Sequence, residues 1–157
     1  MRGWIGVVVF VLVCQSAGAI GALTTQTGAS SWYAALEKPS FNPPGWVFGP
    51  VWTLLYTLMG IAAWRVWRKG VDTPGVRTAL ILFAVQLVLN AVWSPVFFGA
   101  ERIDIALAII AALWAVLIAT TVLFFRIDRP AGWMLVPYIL WVTFATVLNA
   151  SILSLNG

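Results

Sequence analysis

Three sets of residues in this chain combine aromatic rings with hydrogen-bonding groups at helical spacing. Trp52 and Tyr56 stand at i, i+4. Gln86, Asn90, Trp93 and Phe97 follow at i, i+4, i+7 and i+11, and Trp141, Ala145 and Asn149 repeat the four-residue step with Tyr138 one turn earlier. On helices, each set shares a face. Together they offer a flat cavity walled by rings and dotted with polar anchors, which suits a planar, largely apolar ligand. Plain bundle packing would use the same residues, rings filling the core and amides joining helices, and spacing alone leaves both readings open. Pro95 and Pro137 favour the wider space, because each removes a helix hydrogen bond beside one of these faces.

Other chemistry is excluded by what the chain lacks. It has no histidine and one cysteine, Cys14, so the commonest metal ligand, the commonest general base and any intramolecular disulfide are missing. Metal catalysis and Ser-His chemistry are not expected, and no cofactor is required. Cys14 and Met59 are poor prospects for axial ligation of haem iron, so a bound tetrapyrrole would be held by its faces and edges.

The elements that must position these residues follow from composition. Of 157 residues, 62% are hydrophobic and 9% charged, against about 25% charged in an ordinary soluble domain. Mean hydropathy is +0.97. Charged residues punctuate five apolar segments, roughly Trp4 to Leu23, Trp46 to Trp64, Thr78 to Gly99, Ile103 to Phe125 and Ala131 to Leu153. Each is long enough to span a bilayer as a helix, and none shows the alternation of barrel strands. The expected fold is all-α and polytopic, a bundle of five transmembrane helices forming one domain over 1–157 with no soluble domain attached. Arg2, a short apolar stretch and Ala17-Gly18-Ala19 also spell a signal peptide, but the apolar run continues to Leu23 and favours a retained helix.

Five spans put the termini on opposite faces. Arg2, Arg65, Arg68, Lys69, Arg77, Arg126 and Arg129 fall on the N-terminal face, and only Lys38 and Arg102 on the other. The positive-inside rule then places the N-terminus in the cytoplasm and the C-terminus outside, in a bacterial inner membrane. The net charge of +4 is scattered between apolar runs and forms no basic face, so nucleic acid is not an expected partner. The loop of about Thr24 to Gly45 lies on the outer face; its mixture of aromatics and prolines marks a lid over the bundle, whereas a loop resting among headgroups is the simpler alternative. Among ten tryptophans, Trp4, Trp64, Trp67, Trp133, Trp32 and Trp46 fall near span ends, as interfacial residues do. Trp52, Trp93, Trp114 and Trp141 lie deeper. Asn90, Asn149 and Gln86 should point into the bundle, since an amide facing lipid is costly.

The run Trp32-Tyr33, Leu36, Lys38-Pro39, Pro43-Pro44, Trp46, Gly49-Pro50, Trp52 and Tyr56 resembles the first-loop and second-helix signature of the TspO/MBR family, the tryptophan-rich sensory proteins related to the translocator protein. Leu89-Asn90, Trp93-Ser94-Pro95 and Phe97-Phe98-Gly99 resemble its third-helix motif. Pro137-Tyr138, Trp141, Phe144-Ala145-Thr146 and Leu148-Asn149 resemble that of its fifth helix. The resemblance implies a membrane protein, often a homodimer, that binds porphyrins and benzodiazepine-type ligands in a pocket closed by the first loop. By position it assigns that pocket to Tyr33, Pro44, Trp52, Tyr56, Asn90, Trp93, Ser94, Trp141 and Ala145, with protoporphyrin or a haem-like tetrapyrrole as ligand. It further implies that Trp52 and Trp141 could act catalytically in light-driven porphyrin breakdown, an indole near a photoexcited macrocycle being an electron donor. The cholesterol-recognition segment of animal members is missing: after Asn149 the chain has neither the tyrosine nor the following basic residue.

The leading expectation is a receptor or sensor for tetrapyrroles. A light-dependent porphyrin-degrading enzyme, a tetrapyrrole transporter and a regulatory partner of another membrane complex are the alternatives. Lys38 and Arg102, the outer-face cations, are candidates for contacting porphyrin propionates; anchoring loops to headgroups is their other reading.

Overall fold

The computed structural model describes residues 3–25 and 30–156. Its helices are α1 (Gly3–Thr24), the short α2 (Trp32–Ala35), α3 (Phe48–Trp67, entered through a 3-10 turn at Gly45–Val47), α4 (Val76–Ser94), α5 (Ile103–Ile127) and α6 (Arg129–Asn156). A π-helical turn, Pro95–Gly99, prolongs α4. Five of these units are long and apolar enough to cross a membrane, as the charge punctuation predicts. Within the expected loop, α2 is unannounced by periodicity; it is a single turn whose N-cap, Ser31, accepts a hydrogen bond from the Ala34 amide. The expectations for Arg2 and for 26–29 of the loop fall outside the described residues.

Local chemistry explains where the spans stop. Gly75 caps α4 with a φ of 88°, a left-handed conformation that any side chain would strain. Between α5 and α6 the break is one residue, Asp128, in extended conformation. Its carboxylate accepts from the Ala131 amide at 3.1 Å, so it caps α6 as it ends α5. Arg65 reaches the same carboxylate at 2.7 Å and Lys69 lies 3.7 Å away, which brings the end of α3 and the α5–α6 junction to one face. The opposite face carries the first loop.

The spans close into a ring. α1 packs between α3 and α4, α6 between α3 and α5, and α5 between α4 and α6. Away from the loop the bundle is solid: Met59, Ala62, Ala63, Val66, Leu117, Phe124 and Leu135 are fully buried, and Phe83 stacks on Phe124 at 5.8 Å. A Cβ on Gly60 would lie 2.5 Å from the Val11 Cα, so α1 and α3 touch backbone to backbone there. The outer surface is apolar, with Trp4, Leu12, Ile81, Val88, Leu140 and Val147 all exposed. Lipid is the solvent such a surface requires.

Candidate functional site

The loop-side half of the ring encloses a cavity of about 470 Å³, within the range of small-molecule sites. Tyr33, Trp52, Tyr56, Asn90, Trp93, Ser94, Trp141 and Ala145 all line it. Two perpendicular indoles form one corner, Trp52 and Trp141 meeting edge to face at 6.2 Å and 89°. Trp52 also stacks on Tyr56 at 5.4 Å, and Phe48 and Phe144 flank Trp141. These contacts follow from the i, i+4 spacings on α3 and α6, which are neighbours in the ring.

A chain of neutral hydrogen bonds fixes the floor. Tyr56 Oη donates to Asn90 Oδ1, Asn90 Nδ2 donates to Tyr138 Oη at 2.6 Å, and Tyr138 Oη donates to Gln86 Oε1 at 2.7 Å. It ties α3, α4 and α6 together through groups that are almost fully buried. A second bridge runs from Trp93 Nε1 to Asn149 Oδ1 at 3.0 Å, and from Asn149 Nδ2 to the Ile103 carbonyl at 3.1 Å. The three amides thus point inward, as expected. Gln86 and Tyr138 belong to this scaffold and do not line the cavity.

The loop covers the space by inserting Tyr33. Its ring packs on Phe98 at 5.3 Å, its hydroxyl donates to Asn42 at 2.7 Å, and burial raises its pKa above the ordinary 10.0. The π turn places Phe97 and Phe98 under it. Farther along, the Glu37 amide donates to Asn156 Oδ1 at 3.0 Å while Asn156 Nδ2 donates to the Glu37 carbonyl at 2.8 Å, pinning the loop to the last turn of α6. The described part of the loop thus lies over the cavity and is fastened at both Tyr33 and Glu37.

Three expected contacts are not brought to the cavity. Pro44 is not among the lining residues, and its neighbour Gly45 lines the wall instead. Lys38 folds back within the loop, its Nζ donating to the Tyr33 and Leu36 carbonyls at 2.9 Å and lying over the Tyr33 ring. Arg102 is exposed and held by Asp104 through two hydrogen bonds, at 3.0 and 2.8 Å. Both cations are engaged by other partners, and neither lines the cavity. Trp114, deep in α5, is exposed on the outer surface and donates to Thr143; depth along a helix does not say which way a residue faces. Conversely, α1 supplies wall residues that the stripe argument missed, among them Gln15, Gly18, Ala19, Gly21 and Ala22. Their signal was the recurrence of small residues on α1, which spacing explains equally well as helix packing.

Among the described residues no charged side chain lines the cavity, and no group of three potential metal ligands is present. What the arrangement can do is surround a flat apolar molecule with ring faces, offer a few neutral hydrogen-bonding groups and exclude water.

Comparison with known proteins gives the chain a family and relatives along most of its length. The TspO/MBR family model matches residues 10–155. The tryptophan-rich protein TspO of Chlorobaculum tepidum is 43% identical, with 92% of this chain and 91% of that protein covered. Protein CrtK of Rhodobacter capsulatus is 40% identical over 94% of this chain and 91% of its own length. The human translocator protein is 37% identical over 93% of this chain and 87% of its own length.

Proposed function

From the premise that this chain belongs to the TspO/MBR family and is an integral membrane protein, we propose that it is a receptor or sensor that binds porphyrins, and benzodiazepine-type ligands, in the cavity beneath its first loop. The observation that carries this reading is the uncharged corner of Trp52 and Trp141 set over the Tyr56–Asn90 floor. Ring faces at right angles can grip a planar ligand by face and edge at once. Among the described residues a porphyrin's propionates have no cationic partner on the wall, so they project toward the loop face. Adding protoporphyrin to the purified protein should quench its tryptophan fluorescence and shift the porphyrin bands. Absence of both refutes the reading.

Photochemical breakdown of the bound porphyrin is the second reading, and the two indoles in the wall favour it. Phe retains much of the stacking surface of Trp but is far harder to oxidise. Under illumination, Trp52→Phe and Trp141→Phe should each slow loss of the porphyrin spectrum more than they weaken binding, while the lipid-facing control Trp133→Phe does neither. Transport would instead require movement of ligand across a sealed vesicle. The cation asymmetry supports a cytoplasmic N-terminus and an outward-facing lid; an engineered cysteine in the first loop, in a Cys14→Ala background, should react with an impermeant thiol reagent from outside, and one near Lys69 should not. A homodimer is the assembly this reading takes from the family resemblance.

A further inference from the structure

Among its described residues the loop lies close over the cavity, with Tyr33 buried and the loop pinned at Asn156. The bundle wall is not closed all the way round. Among the described lining residues, the exposed ones are Ala19 and Ala22 of α1 and Gly45, Gly49 and Thr53 at the start of α3. They all border one seam.

The course of α1 explains why that seam opens. Its first half is bound closely to α3: Phe10 meets Trp67 at 5.9 Å, Val11 meets Gly60, and Gln15 Nε2 donates to the Thr53 carbonyl and to Thr57 Oγ1 at 3.0 Å each. At Gly18 a Cβ would stand 2.6 Å from the Tyr56 ring. Beyond Gly18 the partner changes. Gly21 and Thr25 turn to α4, where Ser94 Oγ shares a hydrogen bond with the Thr25 hydroxyl and lies 3.3 Å from the Gly21 carbonyl. Leaning on α4, α1 parts from α3 toward the loop face. A Cβ built on Gly49 meets no atom within 4 Å, although Gly49 lines the cavity. At Gly49, therefore, the seam borders open space and not a packed neighbour.

We propose that the cavity is loaded sideways from the bilayer, through the gap between α1 and α3 framed by Ala19, Ala22, Gly45, Gly49 and Thr53, and that its ligands are flat apolar molecules dissolved in lipid. The inference rests on the reading of the cavity as a ligand site and adds the phase from which the ligand comes. It gives the lid a different part: retaining the ligand on the aqueous side while exchange occurs with the membrane. Apolar ligands concentrate in the hydrocarbon, so a lateral route avoids their desorption into water.

The test needs no porphyrin, so its outcome is separate from that of the binding reading. A single reporter cysteine is placed in the cavity wall by Ala145→Cys, in a Cys14→Ala background, and the protein is reconstituted into vesicles whose lipid carries pyrene maleimide. The lid is locked by a disulfide between Glu37→Cys and Asn156→Cys, at the point where the Asn156 side chain exchanges two hydrogen bonds with the Glu37 backbone. The reporter should be alkylated at an unchanged rate with the lid locked. Gly49→Leu, which fills open space, and Ala22→Leu, from the opposite edge, should each slow alkylation roughly tenfold, about 1.4 kcal/mol in the barrier. Alkylation stopped by the lid disulfide and indifferent to both leucines would overturn the proposal, as would a reporter that never reacts with the seam open.

Discussion

Tyr138→Phe removes one oxygen and leaves the ring, including its edge-to-face contact with Trp52 at 6.2 Å. That oxygen accepts from Asn90 and donates to Gln86, so its loss strands two groups in a site where Gln86 is 0% and Asn90 6% exposed. Interhelical hydrogen bonds in membranes average about 0.6 kcal/mol and reach about 1.7, whereas stranding a buried polar group costs about 1–3 kcal/mol. Depth in the bundle moves each group above the membrane average, and the sum expected is about 2–3 kcal/mol. Gln86→Leu should cost less, because it also removes Nε2, a buried donor with no partner. The double variant should then be more stable than the two single losses added together. Reversible unfolding in mixed detergent micelles, followed by helical circular dichroism, measures all three. A Tyr138→Phe protein as stable as wild type would refute the reasoning, since the floor would then contribute nothing to holding α3, α4 and α6 together.

Two further outcomes follow from the polar ends of the bundle. Arg65 beside Asp128 holds its carboxyl below the ordinary 3.8, with the Ala131 amide and Lys69 assisting; a depressed carboxylate stabilises the fold above its unfolded pKa and ceases to as pH falls through the folded value. Asp128→Asn should therefore unfold at a lower temperature than wild type at neutral pH, and the difference should shrink in thermal scans taken progressively below about pH 4. At the other face, Arg102→Met should leave protoporphyrin affinity within about twofold, because its guanidinium is already engaged by Asp104. Lys38→Met should weaken the diacid and its neutral diester alike, since that ammonium organises the loop; a loss confined to the diacid, in parallel fluorescence titrations, would show that Lys38 contacts propionate charge instead.

Much of this architecture was legible because lipid imposes simple rules. A span must be long, apolar and helical, so its limits could be read to within a few residues, and a buried amide must face inward, so Gln86, Asn90 and Asn149 declared their direction. Side-chain destinations were less legible where several satisfy the same rule. Lys38 could reach a propionate or its own loop carbonyls, and only the folded loop shows that the carbonyls are nearer. Trp114 and Trp141 have similar depth but opposite facing, because rotation about a helix axis is set by neighbours that the helix itself does not encode. The contribution of α1 was hidden for the same reason: Gly18 reads as a packing residue, and it is one against Tyr56, but the residues just beyond it line a space that exists only because α1 changes partners.

On the proposed function, ligand binds in the ring-walled cavity. Ala145 lies half-buried in that wall beside Trp141 and outside the hydrogen-bonded floor, so Ala145→Phe should occupy ligand space while leaving the scaffold intact. Protoporphyrin titrated against wild type and Ala145→Phe, with thermal midpoints recorded for both, measures this directly. A loss in affinity of about tenfold or more, equivalent to about 1.4 kcal/mol, is expected at a nearly unchanged midpoint. An unchanged affinity with the same shift in the porphyrin bands would place the ligand elsewhere on the protein and contradict the claim.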